Sequence, residues 1–189
     1  MNYGFNLGVW FIWNPQTRQG GDGSFYPMSR LTAGDFHDGQ SYTLALAEVK
    51  GWTPYLRNGQ AANPTAPTVP ADVCNLPFGT FHSNSGHTEW VDGRSHHVGF
   101  TAQFVPNTKV ICANGGVDYD VDWNNNQEGV TPTSGPVSTY AVITSRSYHE
   151  GMVNVAMMDG SVRPVENDIN LGVWQALATR RGGEDLPKS

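Results

Sequence analysis

The stretch "MVNVAMMDGSVRPV", beginning at Met152, limits the possible folds more than any other part of the chain. Val153, Val155 and Met157 alternate with Asn154, Ala156 and Met158, the two-residue period of a strand with one buried face. Asp159-Gly160 follows, and apolar residues resume at Val162 and Val165. Asp-Gly between two such runs is the strongest short-range hairpin signal, because a type I′ turn needs positive φ at both central residues. The pattern predicts a strand over 152–158, a turn at 159–160 and a strand over 161–165. Pro164 has no N–H for a ladder, so the second strand belongs at a sheet edge. A lone hairpin is marginal in water, so further strands must pack against it.

The rest of the chain supplies them. Residues 1–13, "MNYGFNLGVWFIW", read as one or two buried strands. Leu44 to Val49 is an apolar run too short for periodicity to separate strand from helix. The stretches "SHHVGFTAQFVPNTKVIC" and 139–144 read as further strands. Asn170 is placed to cap a helix, "LGVWQALATR", with Leu171, Trp174, Leu177 and Ala178 on one face and Gly182 as its stop. Residues 57–80 are a Pro-rich surface excursion, extended or partly mobile, within a single globular domain spanning 1–189. The fold class is therefore α+β: a mainly antiparallel sheet, long Gly/Pro-rich loops and a short C-terminal helix.

Charge excludes some functions. The net charge is −6 and no Lys/Arg cluster exists, which argues against nucleic acid as a partner. No apolar run reaches 18 residues, and the N-terminus lacks the basic and small-residue segments of a signal peptide. Charged residues make up 15% of the chain, against the usual quarter, while six Trp, seven Tyr and eight Phe argue against disorder. Such a profile suits a loop-rich β protein outside the cell. Cys74 and Cys112 permit one disulfide without demanding it, and neither has a neighbour at metal-ligand spacing.

Four constellations carry candidate chemistry. In "GVDYDVDWNNNQEG", Asp118, Asp120 and Asp122 recur at every second residue, the opening rhythm of many calcium sites, with Glu128 as a further ligand. It is not an EF-hand, because Trp123 stands where Gly is needed and Gly129 where Glu is needed. A solvated acidic loop is the plainer reading. In "HSNSGHTEWVDGRSHHVGF", four of the six histidines lie within sixteen residues. His87 and Glu89 on one strand face, with His96 or His97 returning across an Asp92-Gly93 hairpin, would suit a transition metal or an acid–base pair. Trp123, beside Asn124 to Asn126, is the best candidate for stacking on a sugar. His149 lacks a nucleophile elbow nearby. A straight strand from it to Asp159 would span roughly 30 Å, so His149, Asp159 and Gly160 read as hairpin scaffold and not as a catalytic pair.

His149 and Asp159-Gly160 together form an H-x9-D-G pattern, and other stretches join it: "DGQSYTLALAEV", "HTEWVDG", "GFTAQFVPNT", and the C-terminal "SRSYHEGMVNVAMMDGSVRPV" with "WQALATRRGGE". These resemble, over nearly the whole chain, a large family of bacterial prepilin-like surface proteins of unknown function. Tyr42 stands where that family usually has Asn. The resemblance implies an exported, pseudopilin-like globular head, anchored or assembled through an N-terminal prepilin helix that this chain does not carry. It implies partners among surface or pilus-like components, and it favours calcium at the Asp118–Asp122 stretch. The expected function is assembly, surface display or ligand capture at the cell surface, periplasm or exterior, without catalysis. Two rivals stand beside it. One is a metal-dependent hydrolase built on His87, Glu89, His96 and His97. The other is a carbohydrate-binding module.

Overall fold

The computed structural model describes residues 1–126, 128 and 135–183. In chain order the strands are β1 (Tyr3–Asn6), β2 (Phe11–Asn14), β3 (Gln19–Gly20), β4 (Leu44–Glu48), β5 (Thr53–Asn58), β6 (Phe78–Gly86), β7 (Gly99–Phe100), β8 (Ile111–Asn114), β9 (Val117–Asp120), β10 (Asp122–Asn124), β11 (Thr139–Val142), β12 (Met152–Met157) and β13 (Val162–Glu166). Two helices join them, the single turn α1 (Ser95–Val98) and α2 (Leu171–Ala178). The strands form a five-stranded sheet in the order β13-β12-β4-β1-β7 and a six-stranded sheet in the order β3-β2-β11-β10-β5-β6. A separate ribbon pairs β8 with β9. Neighbours run antiparallel except β1 with β7 and β10 with β5. The result is an α+β fold dominated by antiparallel sheet.

The hairpin at 152–165 forms as expected, with a different turn. β12 buries Val153, Val155 and Met157 on its inner face, and Val153 pairs with Val165. β13 lies at the edge of its sheet, where Pro164 costs no ladder bond. Gly160 has φ +86°, but Asp159 stays out of the left-handed region. Gly160 N–H donates to Met157 O at 3.0 Å, and Met157 N–H donates to Ser161 O at 2.9 Å. This is a three-residue loop, a type I turn closed by a left-handed glycine, and not type I′. The Asp159 carboxylate accepts from Ser161 N–H at 2.9 Å and from its hydroxyl at 2.6 Å, which favours this conformation at Asp159.

Leu44 to Glu48 is a strand, because β1 and β12 flank it and supply both ladders. Helix α2 is capped by Asn170, whose Oδ1 accepts from Val173 N–H at 3.3 Å. Trp174, Leu177 and Ala178 join the main core with Leu44, Phe100, Val153 and Val155. The helix ends at Ala178, four residues before Gly182. Tertiary contacts stop it early: the Asn6 amide donates to Ala178 O at 2.9 Å, and the buried Arg180 turns away to donate to the carbonyls of Gly21 and Gly23.

A second core gathers Leu56, Val73, Phe104, Val110, Cys112, Val121, Trp123 and Val142. The Pro-rich stretch covers it and is well anchored. A 3-10 turn at Pro70–Asn75 buries Val73, Asp72 accepts from Thr68 N–H and Val69 N–H, and Gln103 donates to Pro67 O at 2.7 Å. Cys74 and Cys112 form a disulfide across 38 residues of chain. Among the described residues, no helix is long and apolar enough to cross a membrane.

Candidate functional site

Strands β5, β6 and β10 lie side by side, and their register brings Tyr55 opposite both His82 and Asp122. At Gly86 strand β6 stops, and His87 takes φ +58°, which turns the chain out of the sheet. Residues 87–94 loop back and feed α1, which carries His96 and His97. No Asp92-Gly93 hairpin forms. The loop and the helical turn supply His87, His96 and His97, and β6 itself supplies His82.

One group surrounds Tyr55. Its ring lies 4.9 Å from that of His82 and 4.4 Å from that of His96, and His96 lies 4.2 Å from His97. Arg57 reaches His96 Nε2 with Nη1 and His82 Nε2 with Nη2, each at 3.3 Å. A guanidinium can only donate, so both imidazoles accept at Nε2 and carry their proton on Nδ1. Burial pushes the His96 pKa down to about 2, with His97 and Arg57 adding to the shift. Burial and Arg57 lower His82 in the same direction. These histidines are neutral packing groups, held in one tautomer by Arg57.

A second group is built on Arg146. Its side chain is buried, and its Nη1 donates to Asp122 Oδ1 and its Nη2 to Asp120 Oδ1 at 3.0 Å. Asp122 Oδ1 also accepts from Thr144 N–H at 3.1 Å. Burial alone would raise the Asp122 pKa, but the Arg146 guanidinium, together with the neighbouring His87, holds the carboxyl below the ordinary range. On its other side His87 Nε2 stands 3.7 Å from Asp122 Oδ2, too far for a hydrogen bond. His87 Nδ1 lies 3.1 Å from the His97 carbonyl and therefore carries a proton.

The sequence expectations fall on this frame unevenly. Asp120 and Asp122 meet, but around a guanidinium. Asp118 is exposed on the β8–β9 ribbon, opposite Ala113. Glu128 Oε1 accepts from the N–H and hydroxyl of Ser95 and so caps α1. The four carboxylates expected to hold calcium thus do not converge, since two share Arg146, one caps α1 and one is exposed; Gln127 and Gly129 of that motif lie outside the described residues. Trp123 is a correction. It is fully buried, stacks on Trp10 at 5.4 Å, and donates Nε1–H to Pro77 O at 3.1 Å, so it cannot stack on a sugar. Asn124, Asn125 and Asn126 are buried as well. His87 and His96 are committed to separate partners and do not join Glu89 and His97 in one ligand set.

His149 and the Asp-Gly turn lie at opposite ends of β12. His149 Nε2 sits 3.2 Å from Glu48 Oε1, and Glu48 Oε2 accepts from Asn154 N–H at 2.7 Å. The carboxylate on β4 thus ties the approach to β12 to the neighbouring strand. Ser145 and Ser147 donate to the carbonyls of Glu48 and Met152.

Several residues carry no sequence signal for the roles they take. Arg57 and Arg146 are single basic residues in unremarkable stretches, and only their burial against distant partners makes them central. Trp52 and Tyr148 are another pair. Both are strongly exposed, at 71% and 87%, and both line a cleft of about 250 Å³ with Lys50, Asp120 and Arg146. Trp52 has φ +65°, an outlier for a bulky side chain. Glycine before it and the Thr53 hydroxyl, which donates to Lys50 O at 2.6 Å, mark the tight turn that imposes this conformation.

The fold and site define a class: a β-rich α+β domain with buried polar clusters and an aromatic-rimmed surface cleft. The chain belongs to the family described as "Protein of unknown function (DUF1559)", whose model matches residues 1–172. No curated protein and no solved structure matches the chain.

Proposed function

We propose that the chain is the exported, non-catalytic globular head of a pseudopilin-like surface protein, acting in display or ligand capture. The observation that carries this reading is a division of labour in the side chains. Groups able to do acid–base work are buried: Asp122 and Arg146 are paired, His96 accepts from Arg57, and His87 donates to the His97 carbonyl. Groups able to bind, namely Trp52 and Tyr148, are outside on a cleft. A disulfide supports export, because such bonds persist mainly in oxidising compartments. Protease shaving of intact producing cells tests the reading: released peptides of this chain are expected, and their appearance only after lysis would overturn it.

The cleft favours one second reading, carbohydrate capture. A sugar face could stack on Trp52 while Asp120, with a side chain 33% exposed, accepts from its hydroxyls. Titration with cellotetraose or chitotetraose, followed by tryptophan fluorescence, should show binding that survives EDTA. Trp52→Ala should weaken it at least tenfold, about 1.4 kcal/mol. Binding that ignores this substitution would remove the cleft from consideration.

A further inference from the structure

We propose that Glu89, Asp92 and His97 form a site for a first-row divalent transition metal, with zinc the best fit, independently of the display reading. One ligand atom from each residue lies within 4.8 Å of the others. His97 Nε2 stands 3.9 Å from Glu89 Oε1 and 3.9 Å from Asp92 Oδ2. Those separations are too long for hydrogen bonds. They are close to what a shared cation needs, since two ligands about 2.1 Å from one zinc lie roughly 3.4 Å apart at tetrahedral angles.

The histidine itself points to a ligand. Its side chain is 4% exposed, and its Nε2, the ring nitrogen that faces both carboxylates, makes no hydrogen bond to either of them at 3.9 Å. A buried imidazole in that condition is costly unless something outside the chain engages it. The loop is built to bring the three together. Asp92 N–H donates to Glu89 O at 3.1 Å, closing a turn that sets the two carboxylates three residues apart on one bend. His97 N–H donates to Arg94 O at 2.9 Å, fixing the first turn of α1 behind them. Asp92 is itself oriented by Arg94, whose backbone N–H donates to Oδ1 at 3.1 Å and whose guanidinium donates to Oδ2. A carboxylate has about four lone-pair sites, so this arginine can stay in the outer shell and hold the ligand in place. Glu89, whose side chain is 57% exposed, leaves the site open to solvent. One imidazole with two carboxylates suits zinc or manganese better than calcium, which takes oxygen ligands.

The test is isothermal titration of chelator-treated protein with ZnCl2, MnCl2 and CaCl2 at pH 7. One equivalent of zinc should bind, more tightly than calcium. His97→Ala opens a hole at a buried position and can simply unfold the chain. Glu89→Gln and Asp92→Asn therefore carry the test, with circular dichroism confirming that they fold. Each should weaken zinc binding at least tenfold, and Glu89→Gln should leave the melting temperature of the metal-free protein unchanged. The site is refuted if zinc does not bind, if calcium binds more tightly than zinc, or if both substitutions leave zinc affinity intact.

Discussion

Arg146→Met is expected to destabilise the protein by about 3–5 kcal/mol, because it leaves a buried carboxylate without its counter-ion. Asp122 is 1% exposed, and its Oδ1 is held by Arg146 and by Thr144 N–H. Methionine fills much of the volume but donates nothing. Urea unfolding monitored by tryptophan fluorescence reads the loss as a lower midpoint at unchanged slope. Arg146→Met combined with Asp122→Leu should recover most of it, since an apolar pair can replace a buried ion pair at little cost. If the double variant is as unstable as the single one, the guanidinium acts through Asp120 or the carbonyls of Thr144 and Val121 and not through Asp122. The same pair sets the acid behaviour. The folded pKa of Asp122 lies below its ordinary value of 3.8, so its contribution is fully present above that pH. It is lost as pH falls below 3.8 toward the folded pKa, and the urea midpoint should drop in that window more steeply for wild type than for the double variant.

Cys74→Ala with Cys112→Ala is expected to cost about 4 kcal/mol, the entropy of closing a 38-residue loop in the unfolded chain. The bridge ties the 3-10 turn that buries Val73 to the β8–β9 ribbon, so its loss should free the Pro-rich cover over Trp123 and Val142. Dithiothreitol should reproduce the effect in wild type and do nothing further to the double variant. A loss below 1 kcal/mol would mean that Val73, Gln103 and the Asp72 turn hold this segment without help.

What could be read from the sequence was what a few consecutive residues decide. Alternation over Val153, Val155 and Met157 fixes a half-buried strand, Pro164 places the next strand at an edge, and Asn170 starts a helix. The glycine of the Asp-Gly pair was needed too, although the turn differed in type once Ser161 bonded to Asp159. Helix α2 was legible at its start and not at its end, because its stop depends on Asn6, Gly21 and Gly23, more than 150 residues away in the chain. The calcium reading of Asp118 to Glu128 rested on a spacing that strands and loops share. Val121 breaks that run between β9 and β10, which belong to different sheets, and so parts Asp118 from Asp122.

The sequence by itself determined the β-rich class, the hairpin, the capped helix and the clustering of histidines between 82 and 97, since each depends on backbone preference or on the period of apolar residues. Only the tertiary structure decided which of those histidines stand together, that Trp123 is core while Trp52 is surface, and that Cys74 meets Cys112. It alone brought Arg146 to Asp122 and left His97 facing Glu89 and Asp92. Burial and charge pairing depend on strand order and register between distant segments, and no local signal in the chain encodes them.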